Sequence, residues 1–234
     1  MINTELLING AKELNIELDD KAVDRFIFLE ERLARWNERT NLTAITEPDD
    51  VVVKHFIDSL TALYGNYIPE EANVIDIGCG AGFPGLPILI ARPDLELTFI
   101  DSTRKKLGFT KEYLRLAGLV ATVHHGRAEE LGATKEYREQ FDVCVTRAVS
   151  AQNVLAEYCL PFVKVGGVFI SLKGANDEVE NARNATKLLG GKIENIIALT
   201  LPNGDARHVI VTRKVKQTPS KYPRKQAKIT KKPL

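Results

Sequence analysis

The 234-residue sequence predicts an α/β domain whose mainly parallel sheet is covered by helices and closed by an antiparallel hairpin, with a helical cap ahead of it. Three observations predict this. From residue 74 on, short apolar β-rich runs alternate with helical patterns, the signature of βαβ units. The last two β-rich runs, Ile193 to Leu201 and Arg207 to Val215, are separated only by a turn around Pro202-Asn203-Gly204-Asp205. That leaves no room for a crossover helix and forces antiparallel pairing. Finally, the first 70 residues carry apolar positions at helical spacing and no strand pattern.

In the cap, Asp19 or Asp20 is placed to N-cap a helix in which Val23, Phe26, Ile27, Leu29, Leu33 and Trp36 recur on one side, and Pro48 opens another through Val51, Val52, Phe56 and Leu60. Both stripes read as core packing. Val74, Ile75 and Ile77 suit a buried first strand. Pro84 suits the first turn of a helix through Leu86, Ile88 and Leu89 to Ala91, stopped by Pro93. Leu95 to Ile100 reads as a second strand ending at Asp101, Thr103 to Ala117 as a helix with Gly118 as its cap, and Ala121 to His125 as a third strand. Phe141 to Val145 forms a fourth, Gly167 to Leu172 a fifth, with helices at about 152–162 and 177–189. The expected division is a cap over 1–70, a core over 71–215 and a basic tail over 216–234.

At 44% apolar content the chain can bury one substantial core. Its start resembles neither a secretory nor a transit segment, and no apolar run approaches the roughly 18 residues of a membrane span. A cytoplasmic protein, not attached to a membrane, is expected. Cys79, Cys144 and Cys159 are far apart without a C-x-x-C pair, so no metal site or disulfide framework is indicated. Cys79 suits the glycine loop as a small side chain.

The net charge of +1 hides an asymmetry. Residues 213–234 hold nine basic side chains and no acid, which leaves 23 basic against 31 acidic side chains in 1–212. Such a tail suits a polyanion or simple solvation. Pro219, Pro223 and Pro233 argue against helix there, and Tyr222 offers a ring to stack on a base or to anchor the tail.

The chemistry concentrates in residues 74–85, Val-Ile-Asp-Ile-Gly-Cys-Gly-Ala-Gly-Phe-Pro-Gly, an apolar strand ending in an acid and then glycines. Glycines let the chain turn tightly and present bare N–H groups to a ligand. Two readings compete, because 80–85 also fits the dinucleotide fingerprint G-x-G-x-x-G. In that fingerprint the first glycine directly follows the strand, whereas here Asp76 and Gly78 intervene. The resulting Asp-x-Gly-x-Gly-x-Gly pattern resembles motif I of the class I S-adenosylmethionine-dependent methyltransferases, a Rossmann-like fold class. Charge separates the two. S-adenosylmethionine carries a sulfonium and an ammonium and no phosphate, so Asp76 favours it and would repel a pyrophosphate. The terminal hairpin agrees, since dinucleotide folds normally continue with βα units. Asp101, about 20 residues beyond the glycines, stands where an acid commonly bonds ribose hydroxyls.

Trp36-Asn37-Glu38-Arg39-Thr40-Asn41-Leu42-Thr43, His55-Phe56-Ile57-Asp58-Ser59-Leu60, Asp76-Ile77-Gly78 with Gly82-Phe83-Pro84-Gly85, Asp101-Ser102, Thr146-Arg147-Ala148 and Tyr222-Pro223-Arg224-Lys225 together resemble the bacterial 16S ribosomal RNA guanine-N7 methyltransferases, also called glucose-inhibited division protein B. The resemblance spans nearly the whole chain. It implies methyl transfer from S-adenosylmethionine to a guanine N7 in 16S rRNA of the small ribosomal subunit. It makes Gly78 and Phe83 cofactor contacts together with Asp76 and Gly80 of the same motif, Asp101 the ribose acid, Ala128 and Glu129 the contacts near the adenine, and Arg147 a further pocket residue. Relatives often have glycine and proline after Arg-Lys; here Gln226-Ala227-Lys228-Ile229 follows.

The implied chemistry fits what the motifs lack. Guanine N7 has an in-plane lone pair and no proton, so alignment suffices and no general base is required. An adenine-N6 type enzyme would carry Asn/Asp-Pro-Pro-aromatic after strand four, and Thr146-Arg147-Ala148-Val149 is not that. Arg147 is suited to orient the substrate through guanine O6 or a phosphate, or else to close a salt bridge. His55 and Asp58 share a helix side and serve either RNA or the packing of the cap. His124 and His125 alternate on a strand and cannot address one metal. Lys173 suits a phosphate or solvent. A tail separable from the core, with deletion after Val215 sparing donor affinity, and a monomeric state complete the expectations; a nicotinamide oxidoreductase and a non-enzymatic RNA-binding assembly factor are the competing classes.

Overall fold

A computed structural model describes residues 2–147, 150–174 and 179–234. The cap comprises α1 (Thr4–Glu13), α2 (Asp20–Thr40), α3 (Pro48–Val51) and α4 (Asp58–Leu60). Asp19 caps α2 as its spacing predicts, its carboxylate accepting the Ala22 N–H at 2.7 Å. The Pro48 helix departs from expectation, because between α3 and α4 the chain winds as a π-helix over Val52–Ile57 and closes in a 3₁₀ turn, Thr61–Leu63. Such wider turns are rare and concentrate at functional sites. The helix α1 is held by burial of Leu7 and Ala11 and lies against the π-wound segment.

The core alternates as β1 (Asn73–Ile77), α5 (Gly85–Ala91), β2 (Glu96–Asp101), α6 (Arg104–Ala117), β3 (Thr122–His125), α7 (Ala128–Leu131), β4 (Phe141–Thr146), α8 (Gln152–Cys159), β5 (Val163–Lys173), α9 (Val179–Leu188), β6 (Gly191–Thr200) and β7 (Ala206–Lys214). The start of the 177–189 helix, and Ala148 and Val149 of the strand-four motif, lie outside the described residues. The strands form one seven-stranded sheet in the order β3-β2-β1-β4-β5-β7-β6, parallel from β3 to β5 and antiparallel at β7 and β6. The chain therefore runs outward in opposite directions from the β1/β4 pair. At that switch point no crossover covers the carboxy ends of the strands, which leaves a crevice there.

One apolar core holds cap and sheet together. Phe26, Leu29 and Leu33 of α2 and Phe56 of the π-wound segment are buried in the same cluster as Leu97, Phe99 and Phe109. On the other sheet face Cys144, Leu155, Phe162 and Phe169 form a second cluster with Tyr222.

Of the two roles open to that last residue, its burial fits the anchor. Beyond β7 the chain folds back, and Gln226–Lys231 forms a short helix, α10. The prolines at 219, 223 and 233 flank this helix, so they bound it without interrupting it. Tyr222 and Ile229 are buried. Arg224 clasps the fully buried Glu157 of α8, Nε to Oε1 at 2.8 Å and Nη2 to Oε2 at 2.6 Å. Arg138 donates to the carbonyls of Thr218 and Tyr222. The positive run is also thinner than its formal count, because Arg213 pairs with Glu194, Lys214 is buried against Glu139, and Arg224 is spent on Glu157. Lys216, Lys221, Lys225, Lys228, Lys231 and Lys232 remain exposed.

Candidate methyl-donor site

The crevice at the switch point is a cleft of about 210 Å³. Its floor is the end of β1, Ile77 and Gly78, and the end of β2, Ile100 with Asp101 and Ser102. Gly126 to Glu129 form one side, Thr146 and Ser150 the other, and Leu155 and Tyr158 of α8 with Gln226 of α10 complete the wall. A larger cavity of about 900 Å³ opens at the opposite edge of the sheet, lined by Asn73, Leu95, Glu96 and Phe141. It lies at the amino ends of the strands, away from the glycine loop, and ligands of open α/β sheets bind at the carboxy ends.

Four of the expected residues line the cleft: Gly78, Asp101, Ala128 and Glu129. Gly78 has φ +71°, and a Cβ added there would meet open space within 4 Å. The glycine is thus demanded by backbone conformation and by the room kept beside it. Asp101 shapes the loop as well as facing the cleft, its Oδ2 accepting the Gly80 N–H at 2.9 Å and its Oδ1 the Thr103 N–H at 2.7 Å. Thr146 Oγ1 donates to the Ile77 carbonyl at 2.7 Å and ties the ends of β4 and β1.

Asp76, Gly80, Phe83 and Arg147 stand behind or beside this lining. Asp76 is fully buried; its Oδ2 accepts the Gly85 N–H at 2.8 Å and its Oδ1 has no partner. Burial pushes its carboxyl up to about 7, against the Gly85 hydrogen bond and the Arg147 charge, which pull it down. A carboxylate with one orphaned oxygen beneath a glycine loop fits a cationic ligand, and so do the open Gly78 and the carboxylates of Asp101 and Glu129 on the cleft wall.

Phe83 turns the other way, into the cap. Its ring stacks on His55 with centroids 4.7 Å apart, and the Arg147 guanidinium lies 5.3 Å over it. Arg147 donates to the Lys54 carbonyl at 2.7 Å, to His55 Nδ1 at 3.0 Å and to Asp58 Oδ2 at 3.3 Å. Asp58 also accepts from Arg207 Nε of β7 at 3.0 Å. Because arginine only donates, His55 Nδ1 is an acceptor, so Nε2 carries the proton and gives it to Thr43 Oγ1 at 2.8 Å. Burial, then the Arg147 charge, holds His55 neutral, lowering it to about 3. His55 and Asp58 therefore pack and pair the cap onto the strand ends.

The remaining candidates have local partners. His124 Nδ1 meets the Tyr137 hydroxyl at 2.9 Å, and His125 Nε2 meets the Ser102 carbonyl at 3.0 Å. Lys173 donates to the Ser150 carbonyl at 2.6 Å. Cys79 is buried, and burial pushes its thiol well up, away from the reactive thiolate. Leu155 and Tyr158 were legible as one face of a helix by their spacing of three, whereas Gln226 reaches the cleft only because the tail folds back.

The family description "rRNA small subunit methyltransferase G" matches residues 23–210. The chain belongs to this family. It is 48% identical over 235 residues to the ribosomal RNA small subunit methyltransferase G of Alkaliphilus oremlandii, covering 98% of each chain. It is 47% identical over 236 residues to the protein of the same name from Acetivibrio thermocellus, covering 98% of this chain and 96% of that one. Among solved structures, a putative transferase from Pyrococcus horikoshii aligns with a TM-score of 0.55 at 16% identity, covering 70% of this chain and 63% of that one. A precorrin-6y C5,15-methyltransferase from Geobacter metallireducens gives 0.51 at 14%, covering 75% and 91%. Both share the fold. The rRNA small subunit methyltransferase G family and this fold make the protein an RNA-modifying methyltransferase with S-adenosylmethionine as donor.

Proposed function

We propose that the protein transfers a methyl group to N7 of one guanine in 16S rRNA, as a cytoplasmic monomer, and that its cleft divides the work by charge. One observation carries the reading: two carboxylates face the cleft against one cation, Arg127, itself 3.8 Å from Glu129, while exposed basic side chains flank it. Asp101 and Glu129 line it and Asp76 underlies it. Outside, Lys225, which precedes α10, and Lys228 within it are exposed beside Gln226 on one bank. Arg104, Lys105 and Lys106 stand on the other, in a first turn of α6 that holds no acid, with Lys106 Cδ 3.9 Å from a Cβ built on Gly80. A donor carrying a sulfonium and an ammonium suits the interior and RNA phosphates suit the banks.

Gly78 and Gly80 bring bare backbone to the amino-acid end, their own N–H groups being held by the Ile100 carbonyl at 2.8 Å and Asp101 Oδ2 at 2.9 Å; Asp76 supplies the negative charge beneath them, Asp101 accepts ribose hydroxyls, and Ala128 and Glu129 flank the base. When bound, the donor supplies a methyl group made electrophilic by its sulfonium. Guanine N7 needs no proton removed, so the chain's task is alignment and exclusion of water. We assign Phe83 and Arg147 to positioning: through His55, Asp58 and the π-wound turn they fix the cap against the glycine loop.

Incubation with tritiated S-adenosylmethionine and 16S rRNA or small subunits lacking the modification tests this. Label recovered as 7-methylguanosine at a single site is expected. Label in another nucleoside would refute the atom, and binding without transfer would favour an assembly factor.

A further inference from the structure

The carboxy-terminal segment is a wall of the donor cleft as well as a basic surface. Gln226, the first residue of α10, lines the cleft and meets Arg127 across its rim, Arg127 Nη1 donating to Gln226 Oε1 at 2.6 Å. The helix is held in place from behind. Arg224 grips Glu157, Ile229 is fully buried, and Asn153 Nδ2 of α8 donates to the Leu234 carbonyl at 3.1 Å. The same helix α8 thus offers Leu155 and Tyr158 to the cleft and Glu157 to the tail.

We propose that Gln226 binds the base end of the donor and that the seating of α10 couples donor binding to RNA binding. This rests on the S-adenosylmethionine reading. The cleft has a direction. Gly78 follows β1, Asp101 ends β2 beside it, and the Asp101 carbonyl accepts the Gly126 N–H at 3.1 Å. A ligand with its amino-acid end at the glycines and its ribose at Asp101 meets its base among Gly126 to Glu129, Leu155, Tyr158 and Gln226, with Thr146 and Ser150 on the other side, and of these Gln226 alone carries a carboxamide. Adenine presents a donor, N6–H, beside an acceptor nitrogen, and a carboxamide carries the complementary pair on one rigid plane. Arg127 orients that plane by occupying one lone pair of its oxygen. Lys225, the N-cap of the helix, and Lys228 within it are exposed. A phosphate held by them favours the seated helix, and so does a base held by Gln226; by linkage each ligand then raises the affinity for the other equally.

The test uses the full-length protein and two product analogues, S-adenosylhomocysteine and S-inosylhomocysteine, in which a carbonyl replaces the N6 amino group. Wild type should prefer the adenosyl compound. Gln226→Ala, at an exposed position, should leave thermal unfolding unchanged, weaken the adenosyl compound about 3- to 10-fold and level the preference. A saturating 16S rRNA fragment should tighten S-adenosylhomocysteine binding to wild type and do so less for the variant. Equal weakening of both analogues would reduce Gln226 to a brace for Arg127 and overturn the proposal, as would unchanged affinity and preference. If wild type binds neither analogue, the donor reading itself fails, an outcome separate from these.

Discussion

Arg224 provides the sharpest test of whether the basic segment is folded structure. Glu157 is fully buried and takes Nε, Nη2 and the Arg224 backbone N–H, the last at 2.9 Å. Arg224→Ala keeps the backbone bond and strips the countercharge from a carboxylate that water cannot reach. Removing one partner of a buried ion pair costs about 3–5 kcal/mol. The chain has one escape, which is to release 216–234 and let water reach Glu157. That forfeits the burial of Tyr222 and Ile229, worth roughly 1.5–3 kcal/mol each, so release costs about as much as the stranded charge. Urea unfolding reads the global route. Brief trypsin treatment reads the local one, through cleavage after Lys221 and Lys225. The neutral pair Glu157→Gln with Arg224→Met should recover most of the loss. If Arg224→Ala unfolds within about 1 kcal/mol of wild type and its tail resists trypsin equally, the docked segment is refuted.

Three further outcomes follow from the site. Gly78→Ala places a side chain at φ +71° and into the open space that the proposed donor site needs; stability should fall by about 1–2 kcal/mol, while S-adenosylhomocysteine affinity, by calorimetry, falls tenfold or more. Asp76 holds its proton to about 7 against 3.8 ordinarily, so its stabilising effect is full below 3.8 and is lost as pH rises through 7. His55, held low, tilts both proteins the opposite way, so the signal is the difference: from pH 4 to 8 wild type should lose up to about 4 kcal/mol relative to Asp76→Asn in paired urea titrations. Asp58→Ala leaves Arg147 and Arg207 facing each other without their shared carboxylate and should cost about 3–5 kcal/mol, most of it returned by a second change, Arg207→Met.

Much of this was fixed by local pattern. The βαβ alternation, the hairpin, the Asp19 cap and the glycine loop with Asp101 are set by residues close in sequence, because strand period, turn chemistry and positive φ are local properties. The Asp-x-Gly-x-Gly-x-Gly motif likewise carried its own charge argument for the donor. Tertiary structure decided where the charges of the tail go. Lys214, Arg213 and Arg224 meet acids 75, 19 and 67 positions away, and no spacing rule connects such partners. It also decided that Arg147, His55, Asp58 and Arg207 form one network, since a π-wound turn and an antiparallel strand must first converge on the end of β4. Gln226 reaches the cleft for the same reason: a residue at the far end of the chain becomes part of the site only through the burial of its neighbours Tyr222 and Ile229, a cost and gain settled by packing and not by any motif.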